Sequence, residues 1–193
     1  MRVDRARVIS GVLAPIVAMG GIGAAAYINR SWWHLTENAI SDLGKVGLPY
    51  NYVLNVSFVV ASALMLFCLS GWRTRGKLET IGLVIFGIGV GFLALIGVFP
   101  EGTSPHYFLS WAFFVVSSVG LLVAGVGMEL SGDSGMGVFS VALFTALWGI
   151  AIWAMRSFKG IAPAELTGAL GIITWYYTAM YLKLKEAGER ERQ

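Results

Sequence analysis

The sequence predicts an all-α fold: a polytopic integral membrane bundle of six transmembrane helices, with a short amphipathic interfacial helix after the first span. Three observations predict it. Of 193 residues, 56% are hydrophobic and 13% are charged, against about 25% charged in a soluble domain. Six apolar runs, joined by short connections, each approach the roughly 20 residues that a helix needs to cross a hydrocarbon core. Threading those runs back and forth sorts the lysines and arginines into two unequal groups.

The first run, 8–28, follows the basic segment MRVDRAR. It exceeds the apolar core of about 7–15 residues found in a secretory signal, so a retained helix is expected. It carries Pro15 and the small residues Gly20, Gly21, Gly23 and Ala24 to Ala26, which let helix backbones approach closely. The next stretch, SWWHLTENAISDLG at 31–44, is the longest polar interval in the chain. Wound as a helix it divides in two. Trp32, Trp33, Leu35, Ala39, Ile40 and Leu43 share one side, and His34, Glu37, Asn38, Ser41 and Asp42 share the other. Gly44 follows as a natural cap. That pattern predicts a helix lying in a membrane surface.

Four more spans follow the second at 52–71: 80–99, 106–128, 136–155 and 162–182, with a charged tail at 183–193. In the third, the Gly87–Gly91 spacing predicts a close helix–helix contact. No span has a charged residue at its centre, and the short connections leave no room for a soluble domain, so residues 1–193 read as one membrane domain.

Arg2, Arg5, Arg7, Arg73, Arg75, Lys77, Lys183, Lys185, Arg190 and Arg192 fall on one side, and Arg30, Lys45, Arg156 and Lys159 on the other. The richer side is expected to be cytoplasmic. This predicts a multi-pass protein of the cell membrane with both termini inside. Trp32, Trp33, Tyr50, Tyr52, Tyr107, Trp111 and Trp153 gather at the outer boundary as an aromatic belt. The net charge of +3 is explained by helix ends, so no nucleic-acid partner is expected. A lone Cys68 excludes an intrachain disulfide.

Two apparent motifs are rejected. GWRTRGKL at 71–78 nearly spells a phosphate-binding loop, but it ends in Leu where the magnesium ligand should be and follows a membrane helix rather than a strand. It reads as a basic cytoplasmic turn. Asn55-Val-Ser57 spells a glycosylation acceptor but lies inside a span.

The topology brings distant polar residues to the outer face. His106 suits a general base, with Glu101 or Asp42 to orient it and Ser41 as nucleophile. Asn38, Asn55, Glu165, Glu37 and His34 are candidate binding residues. Asn55 sits about one turn into a span, where an unpaired amide is costly, and Asn38, Ser41 or Asp42 is the expected partner. Glu101 and Glu165 equally suit helix N-termini through the dipole. Arg30, Lys45, Arg156 and Lys159 could hold a phosphate headgroup. His34, Asp42, Glu101 and His106 have zinc-type chemistry, but their spacing matches no metal motif, and no metal or other cofactor is expected.

The stretches NAISDLG (38–44), GVFPE (97–101) with His106-Tyr107 following, and PYNYVLNVS (49–57) resemble an uncharacterised, largely prokaryotic six-helix membrane family, catalogued as domain of unknown function 998. Glu165 at the opening of the last helix resembles it more loosely. That family is in turn distantly similar to eukaryotic membrane proteins of lipid-anchor remodelling and autophagy. The resemblance implies a six-helix fold and supplies no activity.

The sequence-level expectation is a lipid- or amphiphile-binding protein with a polar site at the outer face. Whether it also modifies a lipid, as an enzyme, is left open. The alternative is a non-catalytic structural or assembly protein. A small-molecule transporter comes third, because ionisable residues are missing from mid-span. Membrane lipids are the expected partners, and a homo-oligomer is left open.

Overall fold

Each apolar run folds as an α-helix, and the computed structural model describes residues 4–190. The helices are α1 (Arg5–Ile28), α2 (Tyr52–Leu69), α3 (Lys77–Val98), α4 (His106–Leu130), α5 (Met136–Ser157) and α6 (Ala162–Arg190). No strand occurs among the described residues. Helices α1 to α5 are long and apolar enough to cross a membrane. α6 is the longest, at 29 residues, yet it falls outside that set. Its apolar character is diluted by Glu165, Trp175, Tyr176, Tyr177, Tyr181 and Lys183. The predicted tail is a direct continuation of α6 as far as Arg190. Arg2, Arg192 and the last residues of that tail lie outside the described residues.

Consecutive helices run antiparallel. The ends of the described chain therefore meet at one end of the bundle, with the turns at 70–76 and 131–135. We call this the basic end. The opposite lid end carries the connections 29–51, 99–105 and 158–161.

Glycine sets the tightest seam, between α3 and α4. A Cβ added at Gly82 would collide with the backbone of Ala124, at Gly89 with Ser117, at Gly120 with Phe86 and at Gly127 with Glu79. These four pairs share one antiparallel register, and two backbones in that contact gain dispersion energy that larger side chains would forbid. The predicted Gly87–Gly91 contact is not the one used. Gly91 meets open space and Gly87 makes only an ordinary contact with Leu66. The phase of the helix turns Gly82 and Gly89, seven residues apart, toward α4 instead.

Indole N–H groups tie the outlying helices across the apolar interior. Trp175 Nε1 on α6 donates to Ser140 Oγ on α5 (2.8 Å), and Trp148 Nε1 on α5 donates to Ser118 Oγ on α4 (3.2 Å). Without water to compete, such bonds fix helix position.

Charge is buried at the basic end. Glu79 is fully buried at the start of α3 and pairs with Lys183 of α6. Asp133 in the α4–α5 turn lies 3.9 Å from Lys183, and Glu186 lies 3.6 Å from it. Arg75 reaches Asp133 (3.3 Å) and Glu186 (2.7 Å). The helical tail is thereby clamped onto α3 and the α4–α5 turn.

Candidate functional site at the lid end

Residues 31–44 do not form the predicted helix. Residues 31–40 fold as a series of turns, and a single 3-10 turn follows at Ser41–Gly44. The reason is competition by side chains for backbone groups, which a helix would otherwise pair internally. The Asn38 amide oxygen accepts from His34 N–H (2.9 Å). Asp42 Oδ2 reaches back three residues to Ala39 N–H (2.8 Å). The Trp33 indole N–H donates to the Ala39 carbonyl (2.8 Å).

These turns make a lid stitched to every neighbouring connection. Gly160 N–H donates to Thr36 O (3.0 Å) and Ala162 N–H to Asn38 O (2.9 Å), joining the lid to the α5–α6 turn. Gly160 has to be glycine, since a Cβ there would collide with the backbone of Glu37 and Asn38. Val46 N–H donates to Glu101 O (2.9 Å), joining the lid to the α3–α4 connection. Asn55 of α2 donates its amide to the Gly44 carbonyl (2.9 Å). The partner expected for Asn55 was a side chain, but the end of the 3-10 turn presents an unpaired carbonyl closer to hand. A Cβ at Gly44 would strike the Asn55 amide oxygen, so a larger residue there would displace the amide that makes this bond.

Glu165, in the first turn of α6, completes the fastening. Its Oε2 accepts from the Ile40 N–H at 2.6 Å, across 125 residues of chain. A carboxylate bonded to a backbone donor in a partly buried setting is a strong, directional contact. Asp42 and Glu101 both lie within electrostatic reach of Glu165.

His106 opens α4 and is buried. Its Nδ1 faces the Phe99 carbonyl at 2.9 Å. A carbonyl only accepts, so Nδ1 carries a proton. Nε2 then faces Glu101 Oε2 (3.2 Å) and Ser110 Oγ (3.3 Å). A neutral ring accepts from the serine at Nε2, and a protonated ring donates to the glutamate. Ser110 was missed in the sequence. The signal was its position four residues after His106, which stacks the two on one helix face.

The structure thus brings His106 and Glu101 together, joins Glu165 to the lid at Ile40, and roots Asn55 beneath Gly44. It does not bring Ser41 or Asp42 into hydrogen-bond contact with His106, whose ring meets Phe99, Glu101 and Ser110. Ser41 instead borders an internal cavity, and Asp42 serves its own turn. Asn38 fastens the lid to itself and to Ala162. His34 and Glu37 are exposed. No group of three or more His, Cys, Asp or Glu suited to a metal ion occurs among the described residues. Arg30, Lys45, Arg156 and Lys159 are exposed too.

Two cavities meet at these polar groups. One, of about 200 Å³, lies between α4, α5 and α6, lined by Trp111, Phe114, Leu147, Trp148 and Gly168 among others. The second, of about 80 Å³, lies between α1, α2, α3, α4 and α6 under Ile40 and Ser41. Glu165, Ser110, Phe114 and Ile172 border both. A carboxylate and a hydroxyl therefore stand where two otherwise apolar spaces adjoin.

The family model described as "Protein of unknown function (DUF998)" matches residues 12–181. The chain belongs to that family. No curated protein and no solved structure matches it. The DUF998 match takes in the whole lid, the His106–Glu101 pair and Glu165, as well as all of α2 to α5.

Proposed function

We propose that this DUF998 protein binds an amphiphile, with the polar head at the lid end and an alkyl chain in the cleft between α4, α5 and α6. The observation that carries the reading is the placement of Glu165 and Ser110 at the border of two apolar cavities. Ligand sites combine an apolar wall with a few convergent polar groups. The head is a hydrogen-bond donor, an ammonium or hydroxyl group, because the polar groups that border the cavities, Glu165 and Ser110, can accept, and Asp42 and Glu101 add negative charge within electrostatic reach of Glu165. The four basic residues of that end, by contrast, are exposed. At about 200 Å³ the cleft is smaller than most ligand pockets and suits a length of single chain rather than a fused-ring ligand. Arg5, Arg7, Arg73, Arg75, Lys77, Lys183 and Lys185 crowd the other end. Under the positive-inside rule that crowding supports an orientation with the lid outside and the chain ends in the cytoplasm, with α6 as the sixth span.

The test is tryptophan quenching. Trp111 and Trp148 line the cleft. Purified protein in detergent is titrated with a primary alkylammonium amphiphile brominated in its chain, whose –NH3+ head can donate to these acceptors. Saturable quenching is expected in the wild type. In a Gly168→Leu variant, whose new side chain runs into Phe114, the saturable component should be lost while a cooperative melt is kept, lowered by the overpacking. Equal quenching in both proteins would end the proposal.

A second reading, a non-catalytic scaffold, has an observation of its own: Glu165, Asn38 and Asn55 are all engaged in fastening the lid. Linear, non-saturating quenching is the outcome it expects.

A further inference from the structure

A larger cavity, of about 490 Å³, lies at the basic end between α1, α6 and the turn after α2. It is remote from the lid and independent of the reading above. We propose that it is a second binding site, for the phosphate group of an anionic amphiphile.

The argument begins with Arg7. Its guanidinium is held by three contacts: Nε to Asp4 (3.1 Å), Nη1 to Ser70 Oγ (3.1 Å) and a position 5.2 Å over the Phe67 ring. The space it needs exists because position 71 is glycine, where a Cβ would collide with the arginine side chain. Arg7 is thus oriented before any ligand arrives, with its remaining N–H groups unassigned, and a planar guanidinium fork suits phosphate oxygens. Its ion pair with Asp4 uses only Nε, so the remaining N–H groups can meet a phosphate without releasing Asp4.

Arg73 borders the same cavity, and its guanidinium makes no hydrogen bond or ion pair among the described residues. Asp4 and Glu186 border it too, but each is already held by an arginine, Arg7 and Arg75. Lys183 is held by Glu79. The uncommitted charge in the cavity is therefore positive and sits on Arg73. Beneath this rim the lining turns apolar, with Val8, Met180 and Leu184. On its flank Trp72 is stacked on Tyr176, with centroids 5.7 Å apart. A charged rim over an apolar floor, at the end of membrane-length helices, is the profile of a lipid headgroup site. The stretch 71–78, rejected above as a phosphate-binding loop, contributes Gly71, Trp72 and Arg73 to it. Its role is side-chain charge at a helix end and not a backbone cradle.

The full chain in a non-ionic detergent is examined by native mass spectrometry with phosphatidylglycerol and with phosphatidylcholine of matched chains. The wild type should retain phosphatidylglycerol in preference, by about tenfold or more, the scale that two basic groups near an anionic head set. Arg7→Gln/Arg73→Gln should lose that preference, and Arg156→Gln/Lys159→Gln, at the other end, should keep it. If the double variant loses its thermal transition, Arg73→Gln alone carries the test, since that side chain bonds nothing among the described residues. Glycerol 1-phosphate distinguishes the source. If it leaves phosphatidylglycerol bound, the occupant is the lipid. If it displaces the lipid and raises the melting temperature by itself, the lipid part of the proposal is overturned in favour of a soluble organophosphate. Equal retention of the two lipids by the wild type, or undiminished preference in the arginine variants, overturns the site altogether.

Discussion

Glu165 does for the lid what a helix would have done internally: it satisfies a backbone N–H. Replacing it with alanine leaves the partly buried Ile40 amide without a partner, at a cost of about 1–3 kcal/mol. Replacement by glutamine keeps an acceptor oxygen and should cost less. Thermal unfolding in detergent should therefore rank wild type, then Glu165→Gln, then Glu165→Ala. Alanine and glutamine variants melting alike would show that the Ile40 bond contributes nothing. Glu165 and Asn55 were legible as residues that need an explanation, because polar groups near helix ends in an apolar chain are conspicuous. Their partners were not legible. Both bond to main-chain atoms of a loop, and sequence periodicity says nothing about where a loop's amides and carbonyls point.

The six helices were readable almost to their ends, five of them on apolar length alone. The lid was not. The alternation of polar and apolar residues at 31–44 mimics an amphipathic helix, yet Asn38 and Asp42 divert its amides into turns. The glycine seam was legible in kind but not in phase. Gly82→Leu or Gly89→Leu should push α3 from α4 and abolish the cooperative melt or lower it sharply, as overpacking costs typically 1–3 kcal/mol or more. Gly91→Leu, facing open space, should leave the melt within experimental scatter. Similar melting of Gly89→Leu and Gly91→Leu proteins would contradict the register described.

For the molecule as a whole, the two ends differ in chemistry. Glu165 and Ser110 border cavities at the lid, while Arg7 and Arg73, with Asp4, Lys183 and Glu186, border a cavity at the other end. The Glu79–Lys183 clamp escaped the sequence reading because each of its residues lies just beyond an apolar run, where charge is ordinary. Only the folded bundle brings α3, the α4–α5 turn and α6 together and buries them. The orientation proposed is open to direct labelling. In a Cys68→Ser background, Lys159→Cys should react with a membrane-impermeant maleimide on intact cells, and Lys77→Cys only after permeabilisation. The reverse pattern would invert the topology and place the lid inside.

The measurement that bears most directly on the amphiphile site is a density map of the protein purified in native lipid, inspected between α4, α5 and α6. The account predicts elongated density along Trp111, Phe114 and Trp148 that ends in contact with Glu165 or Ser110. A cleft closed by those side chains, or filled density that stops short of both polar groups, would contradict it.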